Sequence, residues 1–499
     1  MTRRPRRAPG GIRQLAFGQV PRLYDPLKVI SDDQVAAIHA AALEVLARLG
    51  MRVLHSGARA RFRAAGATVR EDMVHLDPGL IAERLGTVPA RFTLAARDPA
   101  KSLRLGGGDC VFASVGGPAY VMDLDRGRRD GSYAEMCDYL RLVQVLNVIQ
   151  QEGGCPFEPM DLPANTRHLD IYRAQIGLLD KNWQTQTLGH ARTMDGLEMA
   201  AIAAGTTPDR LPVQLLGIIN TNSPRQLDIP MAEGLIAMAE HGQVNVITPF
   251  TLAGAMSPVT LAGALVQQHA EALAGIVLTQ IVRPGVPVMY GGFTSNVDMR
   301  SGAPAFGTPE YAKAAAASGQ LARHIGVPFR SSNVTAANAV DAQAAYESQM
   351  ALWGAVMGGA HLIEHAAGWL HGGLTASFEK LILDAEMLQM MQAFLAPLDC
   401  RPEALALEAM AEVGPGGHFF GATHTMERYE SAFYAPMLSN WDNYPQWLQA
   451  GAVEAPARAN AIWKELLTQY EEPVLDPAVA EALDAYVARR KAEGGAPMN

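Results

Sequence analysis

The feature that most constrains the fold is a recurring grammar between Cys110 and Pro397. A short apolar run ends in Gly or a polar residue, and a stretch with helical periodicity follows. The runs begin at Val111 (VFASV), Asn147 (NVIQQ), Trp183 (WQTQT), Val213 (VQLLGIIN), Val244 (VNVITPF), Val286 (VPVMYGG), Val327 (VPFRSS) and His361 (HLIEHA). Their spacing is roughly 30–40 residues, the length of one strand, one helix and their loops. Helix starts fall between them. Ser132 with Glu135 forms a capping box, and Ser257-Pro258 and Thr308-Pro309 each put a cap before a proline at the first helical position. The last unit ends in a helix with Phe378, Leu381, Ile382, Ala385 and Leu388 on one face. Alternating strands and helices imply right-handed parallel crossovers. About eight such units predict an α/β fold, a closed (β/α)8 TIM barrel. The rival is an open doubly wound sheet, which wants a phosphate-binding glycine loop after its first strand. GGGDC at Gly106 precedes the strand instead and reads as a turn.

The flanks lack this grammar. Residues 1–29 are expected to be a basic, flexible arm; no apolar segment follows MTRRPRRAPGGIRQ, so it does not read as a secretory signal. Residues 30–105 are expected to form an N-terminal α+β extension. It opens on a helix capped by Ser31 and Gln34, with Val35, Ile38, Ala42, Val45 and Leu46 in helical register. The barrel is expected over 106–396. A C-terminal helical segment, 397–499, is expected to wrap the barrel or cover its mouth. No run of about 18 apolar residues appears, so no membrane span is expected. The net charge of −9 argues against a nucleic-acid partner. The four cysteines are widely spaced, which suggests neither a disulfide framework nor a thiolate metal site. A reducing, cytoplasmic location fits that usage.

A barrel of this class carries its site at the C-terminal ends of the strands. Those ends supply Gln151, Glu152, Thr187, Asn220, Asn222, Phe250, Tyr290, Phe293, Arg330, Glu364 and His365, with Phe157 and Trp369 in the adjoining loops. No set of carboxylates and histidines recurs there at metal-ligand spacing, so no tightly bound metal is expected. Aromatic rings, amides and one arginine recur instead. Aromatic faces attract quaternary ammonium through the ring quadrupole; the plainer alternative is that Phe250, Tyr290 and Phe293 are packing residues. His361-Leu-Ile-Glu364-His365 spells an inverted zinc-protease signature. That chemistry needs a helix, whereas this run reads as the eighth strand, on which residues four apart are about 13 Å distant. Strand alternation sends Glu364 and His365 to opposite faces. His365, nearer the C-terminal end, is the one expected in the cavity, with a structural histidine as the alternative.

The stretch from Asp341 to Lys380, DAQAAYESQMALWGAVMGGAHLIEHAAGWLHGGLTASFEK, resembles the trimethylamine methyltransferase superfamily, as do GGHFFGATHTMERY from Gly416 and the Ser31 helix running into LARLGMRVLH. The superfamily includes members acting on glycine betaine and other quaternary amines. The resemblance implies a barrel methyltransferase whose partner is a separate corrinoid (cobalamin) protein, with Co(I) as the methyl acceptor; a homo-oligomer is expected. Members that demethylate trimethylamine itself use pyrrolysine, which this sequence lacks, so a quaternary amine is the expected substrate: it already leaves as a neutral tertiary amine. On this reading Phe157, Phe250, Tyr290, Phe293 and Trp369 surround the ammonium group. Arg330, His365 or Asn220 grips the other end, Glu364 lies beside them, and catalysis works by positioning. Two other classes compete: a metal-dependent lyase or hydrolase on the same fold, and a non-catalytic quaternary-amine binder.

Overall fold

The computed structural model describes residues 12–497. The elements that position the site, in chain order, begin with α1 (Asp32–Glu44), β1 (Asp109–Ser114), α2 (Tyr133–Val145), α3 (Arg167–Leu178) and α4 (His190–Ala203). They continue with β2 (Leu216–Ile219), α5 (Ile229–Glu240), β3 (Val244–Ile247), α6 (Leu261–Val282), β4 (Val288–Gly291) and α7 (Pro309–His324). The last are β5 (Phe329–Ser332), α8 (Ala342–Met357), β6 (Leu362–Ala367), α9 (Phe378–Leu395), α10 (Ala455–Thr468) and α11 (Pro477–Ala492).

Strands β2, β3, β4, β5, β6 and β1 pair in that spatial order, all parallel, with Val20–Pro21 added antiparallel to β1. Leu216 faces Val244, Val246 faces Met289, Gly291 faces Arg330, Arg330 faces Leu362 and Leu362 faces Val111. The runs at Asn147 and Trp183 form no extended strands. They contribute single parallel bridges, Ala113 to Gln151, Gln151 to Asn182 and Gln184 to Leu216. Two packing layers follow from strand alternation. One set of side chains (Val111, Ala113, Leu216, Val244, Val246, Met289 and Leu362) clusters on the inner face with Leu94, Leu103 and Leu105. The last three come from a small hairpin, Phe92–Leu94 with Leu103–Leu105, which closes the interior against the strands' inner face. The other set packs outward into a larger core shared with the helices.

The capping logic holds at most starts. Ser31 and Ser132 make full capping boxes with Gln34 and Glu135, and Thr308 caps α7 ahead of Pro309. It fails at α6: Thr260, not Ser257, accepts from the helix, at the Gly263 amide, because Ser257 closes a preceding tight turn onto Gly254. Helix α6 is long and apolar enough to cross a membrane by length and composition, yet 72% of its apolar window is buried inside the protein. It packs on α1, α5, α7 and the strands, so its hydrophobicity is spent on the core.

The flanks differ from the expectation in one place, the N-terminal arm. Residues 1–11 of the basic arm lie outside the described residues, but 12–29 are tied down: Gln14 donates to the Val145 carbonyl, the Leu15 amide to Gln389, and Arg22 to the Ala360 carbonyl. The C-terminal segment wraps rather than caps. Helix α10 packs on α9 and α2, and α11 on α3 and α4.

Candidate active site

The C-terminal ends of the strands open into a cavity of about 860 Å³. Its lining draws on the segment after every parallel run, from Gly116-Gly117 through Gly153-Gly154, Gln184–Leu188, Ile218, Asn220–Ser223, Thr248 and Phe250 to Phe293, Arg330, His365, Trp369 and Gly373. No residue beyond Gly373 is part of the lining, so 397–499 does not cover the mouth among the described residues.

Of the residues singled out from the sequence, Thr187, Asn220, Asn222, Phe250, Phe293, Arg330, His365 and Trp369 meet here. Their rings form one assembly. Phe293 lies 5.2 Å from Phe250, 6.1 Å from Trp369 and 6.5 Å from His365, centroid to centroid, and His365 lies 4.5 Å from Trp369. Phe306, which the sequence reading missed, backs the assembly at 5.9 Å from Phe293 and 6.1 Å from Trp369. It comes from a short irregular loop, GAPAFG, where no periodicity marks a residue as inward. Gly373, at φ +96°, is required by the indole: a Cβ there would stand 2.4 Å from the Trp369 ring.

Tyr290 and Phe157 do not join this assembly. In β4 Met289 points inward, so alternation sends Tyr290 outward to α6, where its hydroxyl accepts from Gln268 at 3.1 Å and contacts His269 Nδ1 at 3.2 Å. Phe157 follows Cys155, whose φ is +77°, and its ring packs edge-on against Tyr139 at 5.9 Å. Both are core residues.

Glu364 and His365 depart from strict alternation. Glu364 has the inward phase of Leu362, as expected of a residue two positions on, and sits behind the lining. His365 should then face outward, but its φ of +53° and the register shift between Ile363 and Ala367 turn it into the cavity. A non-Gly residue in the left-handed region is uncommon and is held by its surroundings.

Arg330 is fully enclosed, its guanidinium 5.5 Å from the Phe293 ring centroid. Its Nε and Nη1 have no hydrogen-bond partner, and Nη2 lies 3.5 Å from His365 Nε2. His365 Nδ1 is also 3.3 Å from the Gly116 amide. Burial, reinforced by the Arg330 charge, holds the imidazole well below its ordinary range, so it is neutral. A neutral imidazole has a single acceptor nitrogen; it serves either the Gly116 amide or Arg330. Burial lowers the Arg330 pKa while the Glu364 charge opposes that effect. Glu364 receives Gln184 Nε2 on both oxygens at 2.9 Å, and burial pushes its carboxyl up to about 7 despite Arg330. Glu152 sits on the other side of Gln184, accepting from the Cys155 amide at 2.6 Å and Gln175 at 2.7 Å; burial likewise raises it to about 7. Gln184 thus joins two buried carboxylates through a residue that strand-end counting passed over. Among the described residues no group of three or more His, Cys, Asp or Glu could hold a metal ion. His361 of the zinc-like signature lies at the opposite end of β6, bonded to the Gly107 carbonyl and the Phe329 amide.

What the arrangement can do is bind a molecule with two unlike ends. The ring assembly suits a cationic, apolar group, and an unpaired buried guanidinium suits an anion. The profile of the family described as Trimethylamine methyltransferase (MTTB) matches residues 1–495. A glycine betaine methyltransferase of Desulfitobacterium hafniense (strain Y51) is 35% identical over 477 residues, covering 95% of this chain and 99% of that protein. The trimethylamine methyltransferase MttB2 of Methanosarcina mazei is 27% identical over 499 residues, covering 92% and 94%. The solved monomethylamine methyltransferase of Methanosarcina barkeri is 9% identical, with a TM-score of 0.48 over 91% of this chain and 97% of that one.

Proposed function

Because the chain belongs to the trimethylamine methyltransferase family, we propose that it takes a methyl group from a small quaternary amine bearing a carboxylate, of the glycine betaine class, and passes it to a corrinoid held by a separate protein. The observation that carries this reading is Arg330: a buried guanidinium with two unpartnered nitrogens beside a cluster of aromatic rings. Buried donors left without an acceptor are costly, so the hydrogen bonding of the site is incomplete until an anion arrives. A carboxylate can satisfy two of those donors at once.

With the carboxylate on Arg330, the ammonium group lies against Phe250, Phe293 and Trp369, each ring contact contributing about 0.5–2 kcal/mol in a dry site. Phe306 and Gly373 hold those rings in place. His365, kept neutral, adds no second positive charge beside the substrate nitrogen. Glu364, near its titration point, balances the Arg330 charge while the cavity is empty. One methyl is left toward the mouth. The rim there offers amides and apolar surface (Gln186, Leu188, Asn220 and Asn222), and Gly117 leaves open space where a side chain would stand. Such a rim fits the amide-fringed edge of a corrin. When bound on its partner, the corrinoid supplies a low-valent cobalt nucleophile for the methyl carbon. The chain's own part is to orient the C–N bond and exclude water, since a tertiary amine leaves neutral and needs no proton.

The scaffold is read as a (β/α)8 barrel over 106–396. The support is that the single bridges at Gln151, Asn182 and Gln184 lie in sequence between β1 and β2 and would close the ring. The experiment is methyl transfer to Co(I) cobalamin from a panel of quaternary amines with and without a carboxylate, followed by cobalamin absorbance. Turnover of a carboxylated member is expected; absence of turnover with every quaternary amine refutes the reading.

A further inference from the structure

A second cavity, of about 400 Å³, lies at the opposite end of the sheet, where the chain enters β1, β5 and β6. Two guanidiniums meet there. Arg323, in the last turn of α7, donates from Nη1 to the Gly358 carbonyl at 2.7 Å. Arg22, from the N-terminal segment, donates from Nη1 to the Ala360 carbonyl at 3.0 Å. The two side chains therefore flank Gly359, whose φ is +91°. A Cβ on Gly359 would stand 2.5 Å from Arg323 Nη1 and 2.9 Å from Pro26, so glycine keeps the space beside Arg323 open.

These carbonyl bonds leave most of the donors without an acceptor. A guanidinium has five N–H groups. Arg22 uses two, the second on the Gly107 carbonyl at 3.3 Å, and Arg323 uses one. Among the described residues no carboxylate pairs with either arginine. Asp109, beside Arg22, is taken by Arg104 at 2.9 Å, and Asp25, the one acid in the lining, bonds neither. Arg91 reaches the same edge: a Cβ on Gly107 would stand 3.2 Å from its Nε. The positive charges converge. Burial, then the Arg22 and Arg323 charges, lowers the neighbouring His361 to about 4, and the Arg22 charge adds to burial in lowering Arg323. Like charges gathered without a counter-ion repel, and an anion between them removes that cost.

We propose that this cavity binds a phosphate group, free or as a small monoester, between Arg22 and Arg323. A tetrahedral dianion has oxygens enough to accept from both guanidiniums, whose planar forks match it. Tyr24, Pro26 and Pro328 make the rest of the wall apolar, and about 400 Å³ is within the range of small-molecule sites. The monoester is the better fit, because a bare ion leaves that apolar wall uncovered. The methyl-transfer cavity opens at the other ends of the same strands, so this site does not depend on the function proposed above.

The test is calorimetric titration of the full chain at pH 8 and constant ionic strength, with inorganic phosphate and with glycerol 3-phosphate. Saturable binding of one equivalent is expected, tighter for the monoester; equal affinities would support the same site with free phosphate as its occupant. Arg22→Gln and Arg323→Gln are each expected to weaken binding about tenfold or more. Arg330→Gln, in the other cavity, is expected to leave it unchanged. No saturable binding of either probe, full affinity in either of the first two variants, or loss of affinity in Arg330→Gln overturns the proposal. Should a variant not fold, protection of the wild type decides. Glycerol 3-phosphate is expected to slow phenylglyoxal modification of Arg22 and Arg323, mapped by mass spectrometry; unchanged rates overturn it.

Discussion

At the residue scale, the site turns on an arginine whose charge is permanent and whose partners are missing. Arg330→Gln removes the charge and leaves a shorter, neutral amide. A charge-assisted hydrogen bond contributes about 1.5–3 kcal/mol, so the KM for a carboxylated quaternary amine should rise about tenfold to a hundredfold. The KM for an amine without the carboxylate should stay near that of the wild type. Equal effects on both substrates would remove Arg330 from the anion-binding role. Glu364 makes a second, thermodynamic statement. Its carboxyl is raised by burial to about 7, whereas an unfolded glutamate titrates near 4.3. Between those values the native state holds a proton that the unfolded chain has lost. Its contribution to stability is therefore full below about pH 4 and disappears as pH rises through 7, up to roughly 4 kcal/mol. Urea unfolding at pH 5 and pH 8 should show a smaller loss for Glu364→Gln than for wild type. Some loss remains in the variant because Glu152 titrates with the same sign. Parallel losses in the two proteins would mean that Glu364 is ionised throughout.

At the element scale, the helix starts test which local signals the fold uses. Ser257-Pro258 has the better sequence signature, but Thr260 receives the Gly263 amide and begins α6. Thr260→Ala should cost about 1 kcal/mol of stability, while Ser257→Ala should cost less than half as much, read as the shift in denaturant midpoint. The reverse order would return the cap to Ser257. The β6 strand shows the other way a local rule yields. Leu362 and Glu364 keep their inward phase, and a single positive φ at His365 turns its side chain into the cavity that Glu364 sits behind.

At the scale of the whole molecule, the C-terminal helix is a clasp. Asp195 on α4 accepts from Tyr486 at 2.8 Å and Arg490 Nε at 2.6 Å, both on α11, and contacts His168 Nε2 on α3 at 2.8 Å. The carboxylate is buried and Arg490 is partly exposed. Removing one member of such a set leaves the others desolvated and unpaired. Asp195→Ala should destabilise the protein by about 2–3 kcal/mol, and limited proteolysis should then release the C-terminal helix first. Release at the same rate as in the wild type would make α11 a passive passenger.

Much of this was legible from the chain alone. The alternation of apolar runs and helical periods, the capping boxes at Ser31 and Ser132, and the gathering of Phe250, Phe293, Arg330, His365 and Trp369 at strand ends are short-range patterns, set by hydrophobic periodicity and backbone chemistry. Where a side chain finally points is not short-range. Tyr290 faces α6 because β4 takes its phase from Met289 packing among the neighbouring strands. Phe306 joins the rings from an irregular loop. Glu364 pairs with Gln184, 180 residues away. Strand phase, bulges and loop excursions are decided by what lies opposite in space, so only the assembled tertiary structure could turn a set of candidate residues into one cavity.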